Sequence, residues 1–147
     1  NTVIVAYADH YLYTINDKTV LDKYKDTQGS LINNTPFFIW SSDIKSQSVN
    51  KVTMQMNILP TVLNLFGIDY NSNYYLGTNA LSPKYKGLAY FSDYSWYDGN
   101  VYVENGEVVN GKKISKKKLE ETSDKVNKLF RKNDLTLKYD YFKTLGK

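Results

Sequence analysis

The sequence has no cysteine, which excludes a disulfide framework, a thiolate metal site and a cysteine nucleophile. It has a single arginine, Arg131, and a single histidine, His10. Arginine is the usual residue for bidentate recognition of bases and phosphates, so its scarcity argues against a nucleic-acid partner. The charge balance agrees, because 15 acidic residues are scattered among 19 basic ones for a net charge of +4. No apolar run approaches the roughly 20 residues that a membrane span needs. There is no G-x-S-x-G elbow, no P-loop and no G-x-G-x-x-G, which removes the commonest hydrolase and nucleotide-binding signatures.

What is present is the composition of a globular chain. Apolar residues make up 41% of its 147 positions and charged residues 23%, enough for a hydrophobic core and too apolar for disorder. Fourteen tyrosines could form a sugar-binding surface, but half-buried strand and loop packing is the simpler expectation. Trp40, Trp96 and the tyrosines of 94–102 raise the same choice between a substrate groove and core, and core is favoured.

The apolar pattern predicts an α/β chain. Val3 to Ala8 reads as a buried strand, and so does Thr35 to Trp40, with Pro36 at its start where a missing N–H is tolerated. A short helix is expected from Lys18 to Asp26 with Asp17 as its N-cap. The intervening helix implies a right-handed crossover between the two strands, and hence a parallel pair. Val52 to Met56 is expected to be extended. Asn57 should cap a buried helix that runs to Phe66 and ends at Gly67. Leu88 to Ser92 reads as a strand. Asn105-Gly106 between Val101-Tyr102-Val103 and Val108-Val109 is a strong hairpin signal, with the hairpin expected at the periphery. A helix should start at Ser115 with Leu119, Val126, Leu129 and Phe130 on one face and Lys116, Lys117 and Lys118 as a solvated first turn. A further short helix is expected within 135–145. The chain opens on an apparently buried strand rather than an initiator methionine, which is the pattern expected of the C-terminal piece of something longer.

One constellation carries chemistry. Asp9-His10 follows the first strand, and ligands of open α/β sheets bind beyond the carboxyl ends of strands. A carboxylate and an imidazole delivered together suit a divalent cation. Two ligands do not complete a metal site, and no other region offers a third with metal spacing. Either the pair binds no metal, or its co-ligands lie upstream of Asn1. Asp43, Asp69, Asp93 and Asp98 fall in loops and read as solvated turn residues.

These residues, taken in order, resemble the C-terminal part of the sulfatase and alkaline-phosphatase superfamily, and its lipoteichoic acid synthase and phosphoglycerol transferase branch in particular. The segment Asn1-Thr-Val-Ile-Val-Ala-Tyr-Ala-Asp9-His10-Tyr11 is similar to that branch's Asn-Thr-Ile-Ile-Val-x-Tyr-Gly-Asp-His-Tyr, and Asn57-Ile-Leu-Pro60-Thr61 is similar to its Asp-[Ile/Val]-[Leu/Met]-Pro-Thr helix start. The departures are Ala8 and Leu12 at two positions usually glycine, and Asn57 at one usually aspartate. The resemblance covers essentially 1–147. It implies the C-terminal part of an alkaline-phosphatase-like three-layer sandwich, with a small antiparallel hairpin and C-terminal helices. It also implies a threonine nucleophile that forms a phospho-threonine intermediate with a phosphoglycerol group from a lipid donor. Asp9 and His10 match two of the metal ligands. The nucleophile, the remaining glutamate ligand and the phosphate-gripping residues would lie upstream, so no catalytic residue is assigned here. The implied cofactor is a divalent cation, manganese first, with zinc, magnesium or calcium as alternatives, held weakly or not at all by this piece alone. Implied partners are the N-terminal part of the same polypeptide and an anionic glycerophosphate lipid or polymer, with membrane attachment only through upstream spans, at the extracellular face of a bacterial cell. The alternatives are a sulfatase or phosphoethanolamine transferase of the same superfamily, or a non-catalytic module binding a wall polymer or glycan.

Overall fold

The computed structural model describes residues 2–146, and the chain divides into two units, 1–48 and 49–147. In the first unit, β1 (Val3–Tyr7) pairs with β2 (Phe37–Ser41), joining Val3 to Ser41 and Tyr7 to Phe37. The two strands are neighbours, as the pattern implied, but they run antiparallel, so the crossover expectation was wrong. A single short helix α1 (Lys18–Tyr24) and a 3-10 turn at Gly29–Asn33 return the chain to the end of β1. Asp17 caps α1 as expected, accepting from Thr19 N at 2.9 Å. Bonds from the Thr19 hydroxyl and amide hold the Asp17 carboxyl below the usual carboxylate range.

Burial also departs from the apolar pattern. Ile4, Phe38 and Trp40 are exposed within this two-stranded sheet. Ile4 opposes Trp40 and Ala6 opposes Phe38, so these side chains share one face. A strand with a single partner has one unpaired edge and no second layer, and its apolar residues stay uncovered.

The second unit is built around a four-stranded antiparallel sheet in the order β3 (Ala89–Tyr90), β4 (Trp96–Tyr97), β5 (Val101–Glu104), β6 (Glu107–Gly111). The hairpin at Asn105-Gly106 forms as predicted, with φ of 51° and 79° at the two turn residues. It is not peripheral. Its first strand, β5, is interior to the sheet, and Val101, Tyr102 and Val103 are buried. Gly111 ends β6 at φ 107°, and a Cβ there would lie 2.1 Å from Asn100 O. Only glycine permits that approach, which lets Lys112 N bond Asn100 O at 3.0 Å.

Helix α3 (Lys116–Lys138) covers the sheet. Val126 is buried against Tyr90, Trp96, Val101 and Val103, with Leu119, Leu129 and Phe130 packed around them. Those four helix positions are the apolar face read from the sequence. Trp96 donates its indole N–H to Ser123 Oγ at 3.1 Å, which satisfies a polar group inside the core. Trp96 and Tyr102 are therefore core residues, not groove residues. Ser115 caps α3 by accepting from Lys118 N. A short helix α4 (Tyr141–Leu145) follows, after Asp140 breaks α3 with φ 46°.

Three local expectations need correction. Within 52–56 Met54 is extended as expected, but a 3-10 turn takes over at Gln55–Asn57. Lys118 is not simply solvated, because it pairs with Asp98 at 2.9 Å. Asp98 is also more than a solvated turn residue. Its side chain is 10% exposed and accepts from Asn100 N and Val101 N at 2.9 and 3.0 Å, closing the β4–β5 turn. Burial pushes its carboxyl up, but the Lys118 ammonium and the two amides outweigh burial and hold it below the ordinary value.

A depressed carboxyl stabilises the fold above its unfolded-state value of about 3.9 and loses that contribution as pH falls through the folded value. Asp98→Asn should therefore cost about 1 kcal/mol at neutral pH. Wild type and variant should converge as pH falls through the lowered folded-state value. Thermal unfolding across pH, followed by circular dichroism, checks both. A constant gap down to the lowest pH would refute the Asp98–Lys118 assignment.

Candidate metal site and the helix motif

β1 ends at Tyr7, and the chain beyond it is held against the start of β2. Ala8 N donates to Pro36 O at 3.3 Å, and Thr35 Oγ1 donates to Ala8 O at 3.2 Å. The polar residues before Phe37 thus anchor the backbone from which Asp9 and His10 project. Thr35 and Pro36 also line a cleft of about 370 Å³ with Tyr24, Lys25, Asp26 and Asn34.

Asp9 Oδ1 and His10 Nε2 lie 3.6 Å apart, with side chains 81% and 45% exposed. His10 Nδ1 is 2.6 Å from Tyr11 O. A carbonyl only accepts, so Nδ1 is the donor, and the neutral imidazole keeps its lone pair on Nε2, the nitrogen beside Asp9. The ring is stacked on Tyr13, with centroids 4.3 Å apart and planes 12° from parallel. Tyr13 in turn meets Tyr11 edge-on. The sequence reading named Asp9 and His10 but missed Tyr11, Tyr13 and Thr35 as the residues that orient them. The two tyrosines that follow the histidine within three positions were the available signal.

Two donors about 2.1 Å from a shared cation are roughly 3–3.5 Å apart. The observed separation is close to that range, and the tautomer is the one a metal ligand needs. The pair therefore fits a cation as a partial donor set. Among the described residues no group of three or more His, Cys, Asp or Glu side chains could complete it. The loop carboxylates serve turns instead. Asp93 accepts from Ser95 N and Oγ, and Asp43 accepts from the Ser41 hydroxyl.

The second motif, around Pro60-Thr61, has a different role. Asn57 precedes α2 (Ile58–Leu65), but its side chain does not cap that helix. Its oxygen accepts from Met54 N at 3.0 Å and from Tyr85 Oη at 3.1 Å, and its NH2 donates to Thr78 O at 2.8 Å. Thr61 donates to Asn57 O at 2.6 Å and accepts from Ala80 N at 2.9 Å. Asn57 and Thr61 are buried, whereas Leu59 and Phe66 are exposed, so α2 is covered on one face only. The helix ends as expected, with Gly67 at φ 65° and the paired bonds Ile68 N to Leu63 O and Gly67 N to Asn64 O. The motif is thus a structural clamp that fixes residues 78–85 on the start of α2.

Residues 1–68 match the family model described as Sulfatase. That segment is similar to the sulfatase family. The match spans the Asp9-His10 strand end and the whole of α2, two of the places on which the resemblance rested; Asn1, its first residue, lies outside those described. Beyond it, the chain is 23% identical over 140 residues to lipoteichoic acid synthase 2 of Bacillus subtilis (strain 168), an alignment covering 86% of this chain and 21% of that protein. It is 26% identical to the lipoteichoic acid synthase of Staphylococcus aureus (strain USA300) over an alignment of 156 positions, covering 97% of this chain and 24% of that protein. The resemblance to lipoteichoic acid synthases of the sulfatase superfamily is borne out. The chain spans less than a quarter of the length of these relatives.

Replacing Asn57 by Ala orphans Met54 N–H and Thr78 C=O and should cost about 2–3 kcal/mol. The Asp9-His10 turn, in the other unit, should be unaffected. Chemical denaturation gives the cost, and an unchanged His10 ring resonance in NMR is the local control. A loss below about 0.5 kcal/mol would show that the clamp is not structural.

Proposed function

We propose that this chain is the C-terminal part of a metal-dependent phosphoglycerol transferase that takes its group from a lipid-borne glycerophosphate donor. The observation that carries the reading is the Asp9–His10 pair, presented at a strand end inside the sulfatase-matched segment, with Nε2 and Oδ1 turned to within 3.6 Å of each other. The names of the relatives support the lipoteichoic acid branch. Asp9 contributes negative charge and an oxygen donor, and His10 contributes a neutral nitrogen donor. Tyr11 O holds the proton on Nδ1, and the Tyr13 ring restrains rotation about χ2. Thr35 and Pro36 fix the backbone that carries both ligands. A divalent cation held here, manganese in the first instance, would supply Lewis acidity and offset phosphate charge. The further ligands and the threonine nucleophile come from residues outside this sequence, as does the anchoring that would keep the protein at the extracellular face of a bacterial membrane. No helix among the described residues is long and apolar enough to cross a membrane.

In a protein of the relatives' length that contains this chain, Asp9→Ala or His10→Ala should lower glycerophosphate release from a lipid donor by more than about 100-fold. Bound manganese should fall in parallel while circular dichroism is unchanged, since both side chains are exposed and leave no cavity. Near-normal turnover by either variant would reject the ligand assignment. Activity restricted to sulfate or phosphoethanolamine esters would keep the ligands and replace the substrate.

The chain 1–147 on its own should show no manganese-dependent release of glycerophosphate, because reacting groups must be held together for transfer. Isothermal titration with manganese should give weak binding or none, as expected of two donors. Turnover by purified 1–147 would overturn the division of the site.

A further inference from the structure

The end of the second unit exposes an aromatic and aliphatic surface that the metal-site reading does not use. Leu137, Tyr139 and Phe142 are 72%, 64% and 51% exposed, and Tyr74, Tyr141 and Leu145 are exposed beside them. Three of its rings form one cluster. Tyr74 meets Tyr141 and Phe142 with ring centroids 6.5 and 5.7 Å apart, Tyr141 meets Phe142 at 5.6 Å, and Leu145 lies one turn further along α4. The left-handed Asp140 makes this possible by turning α4 out of line with α3. Large uncovered apolar patches mark contact sites on soluble proteins.

The chemistry of the patch favours one kind of occupant. Three of its four rings are tyrosines, whose hydroxyls want water while their rings do not. A dry protein interface would have to satisfy each hydroxyl, whereas the headgroup layer of a bilayer hydrates the tips and buries the rings. Lys138 lies over the Tyr139 ring at 5.5 Å, and Lys143 follows Phe142 with only an exposed 3.7 Å pairing to Asp140. Lysines beside interfacial rings extend toward lipid phosphates. Residues 131–143 carry Arg131, Lys138 and Lys143, besides Lys132 bonded to Tyr75 O, against Asp134 and Asp140, so the charge suits an anionic surface.

We infer that residues 137–145, with Tyr74, dock on the headgroup layer of an anionic lipid bilayer. This contact is peripheral, lies within this chain and is separate from any membrane span. It rests on no part of the transferase reading and stands or falls without it.

The test is flotation of purified 1–147 with phosphatidylcholine vesicles, with and without phosphatidylglycerol. Binding should require phosphatidylglycerol and weaken with salt. Leu137→Ser with Tyr139→Ser should weaken it by about tenfold or more, and Lys138→Gln with Lys143→Gln by several-fold. These side chains are exposed, so circular dichroism should be unchanged, and Val20→Ser, an exposed change in the other unit, should bind as wild type. Absence of binding to the anionic vesicles overturns the inference. So does salt-independent binding unaffected by the patch variants, or self-association in sedimentation that is lost in Leu137→Ser/Tyr139→Ser while vesicles go unbound, which would make the occupant a second copy.

Discussion

The carboxamide of Asn57 is the tie on which most of the second unit hangs. One buried side chain binds Met54 N, Thr78 O and Tyr85 Oη. Tyr85 extends the tie to Val52 O and toward Leu88 N, which leads directly into β3. Burial raises the Tyr85 hydroxyl's affinity for its proton, consistent with a phenol enclosed by backbone. Met54 and Leu88 then pack on the Trp96 core. The irregular stretch 69–88 has almost no regular backbone pairing of its own, so its polar groups must be met by side chains. Asn57 and Thr61 meet them, and Gly77 lets the loop pass so close to Met56 that a Cβ would sit 1.9 Å from its carbonyl oxygen. A motif that reads as a helix cap in the sequence is here a fastening.

The Asp9-His10 turn follows the opposite logic. Little of it is buried, and its order comes from short-range contacts: a carbonyl one residue away, a ring three residues away, and the backbone of Ala8 tied to Thr35 and Pro36. Such a turn costs little to expose and keeps both side chains at the surface, as the proposed role requires. Its proposed role needs groups brought from elsewhere, and the exposed face of Ile4, Phe38 and Trp40 marks the same unit as one with apolar surface still to cover.

Local signals in the sequence were reliable where local physics decides. Asp17 and Ser115 cap helices because their side chains reach an amide two or three residues on. Asn105-Gly106 turns because both residues accept positive φ. The 3.6-residue spacing of Leu119, Val126, Leu129 and Phe130 found the buried face of α3. The Asp-His pair was legible because two adjacent ionisable residues at the end of an apolar run are chemically unusual, and the sulfatase match falls on that segment.

Long-range pairing was not legible. An apolar run such as Val3–Tyr7 states that a strand wants cover, but not which strand lies beside it or in which direction, and the direction proved antiparallel. The hairpin was expected at the periphery, yet its strand β5 is interior to its sheet because β4, itself only two residues long, pairs on its other side. Asn57 has the composition of a cap, and only the proximity of Thr78 and Tyr85, more than 20 residues away in the chain, gives its amide better partners. Asp98 likewise reads as a turn residue until Lys118, 20 positions later, is folded against it. The sequence by itself determined the caps, the turn and the helix face, since each depends on neighbours within about one helical turn. Tertiary structure alone decided strand direction, the centre of the sheet and the partners of buried polar groups, because those depend on contacts whose formation no local free energy reports.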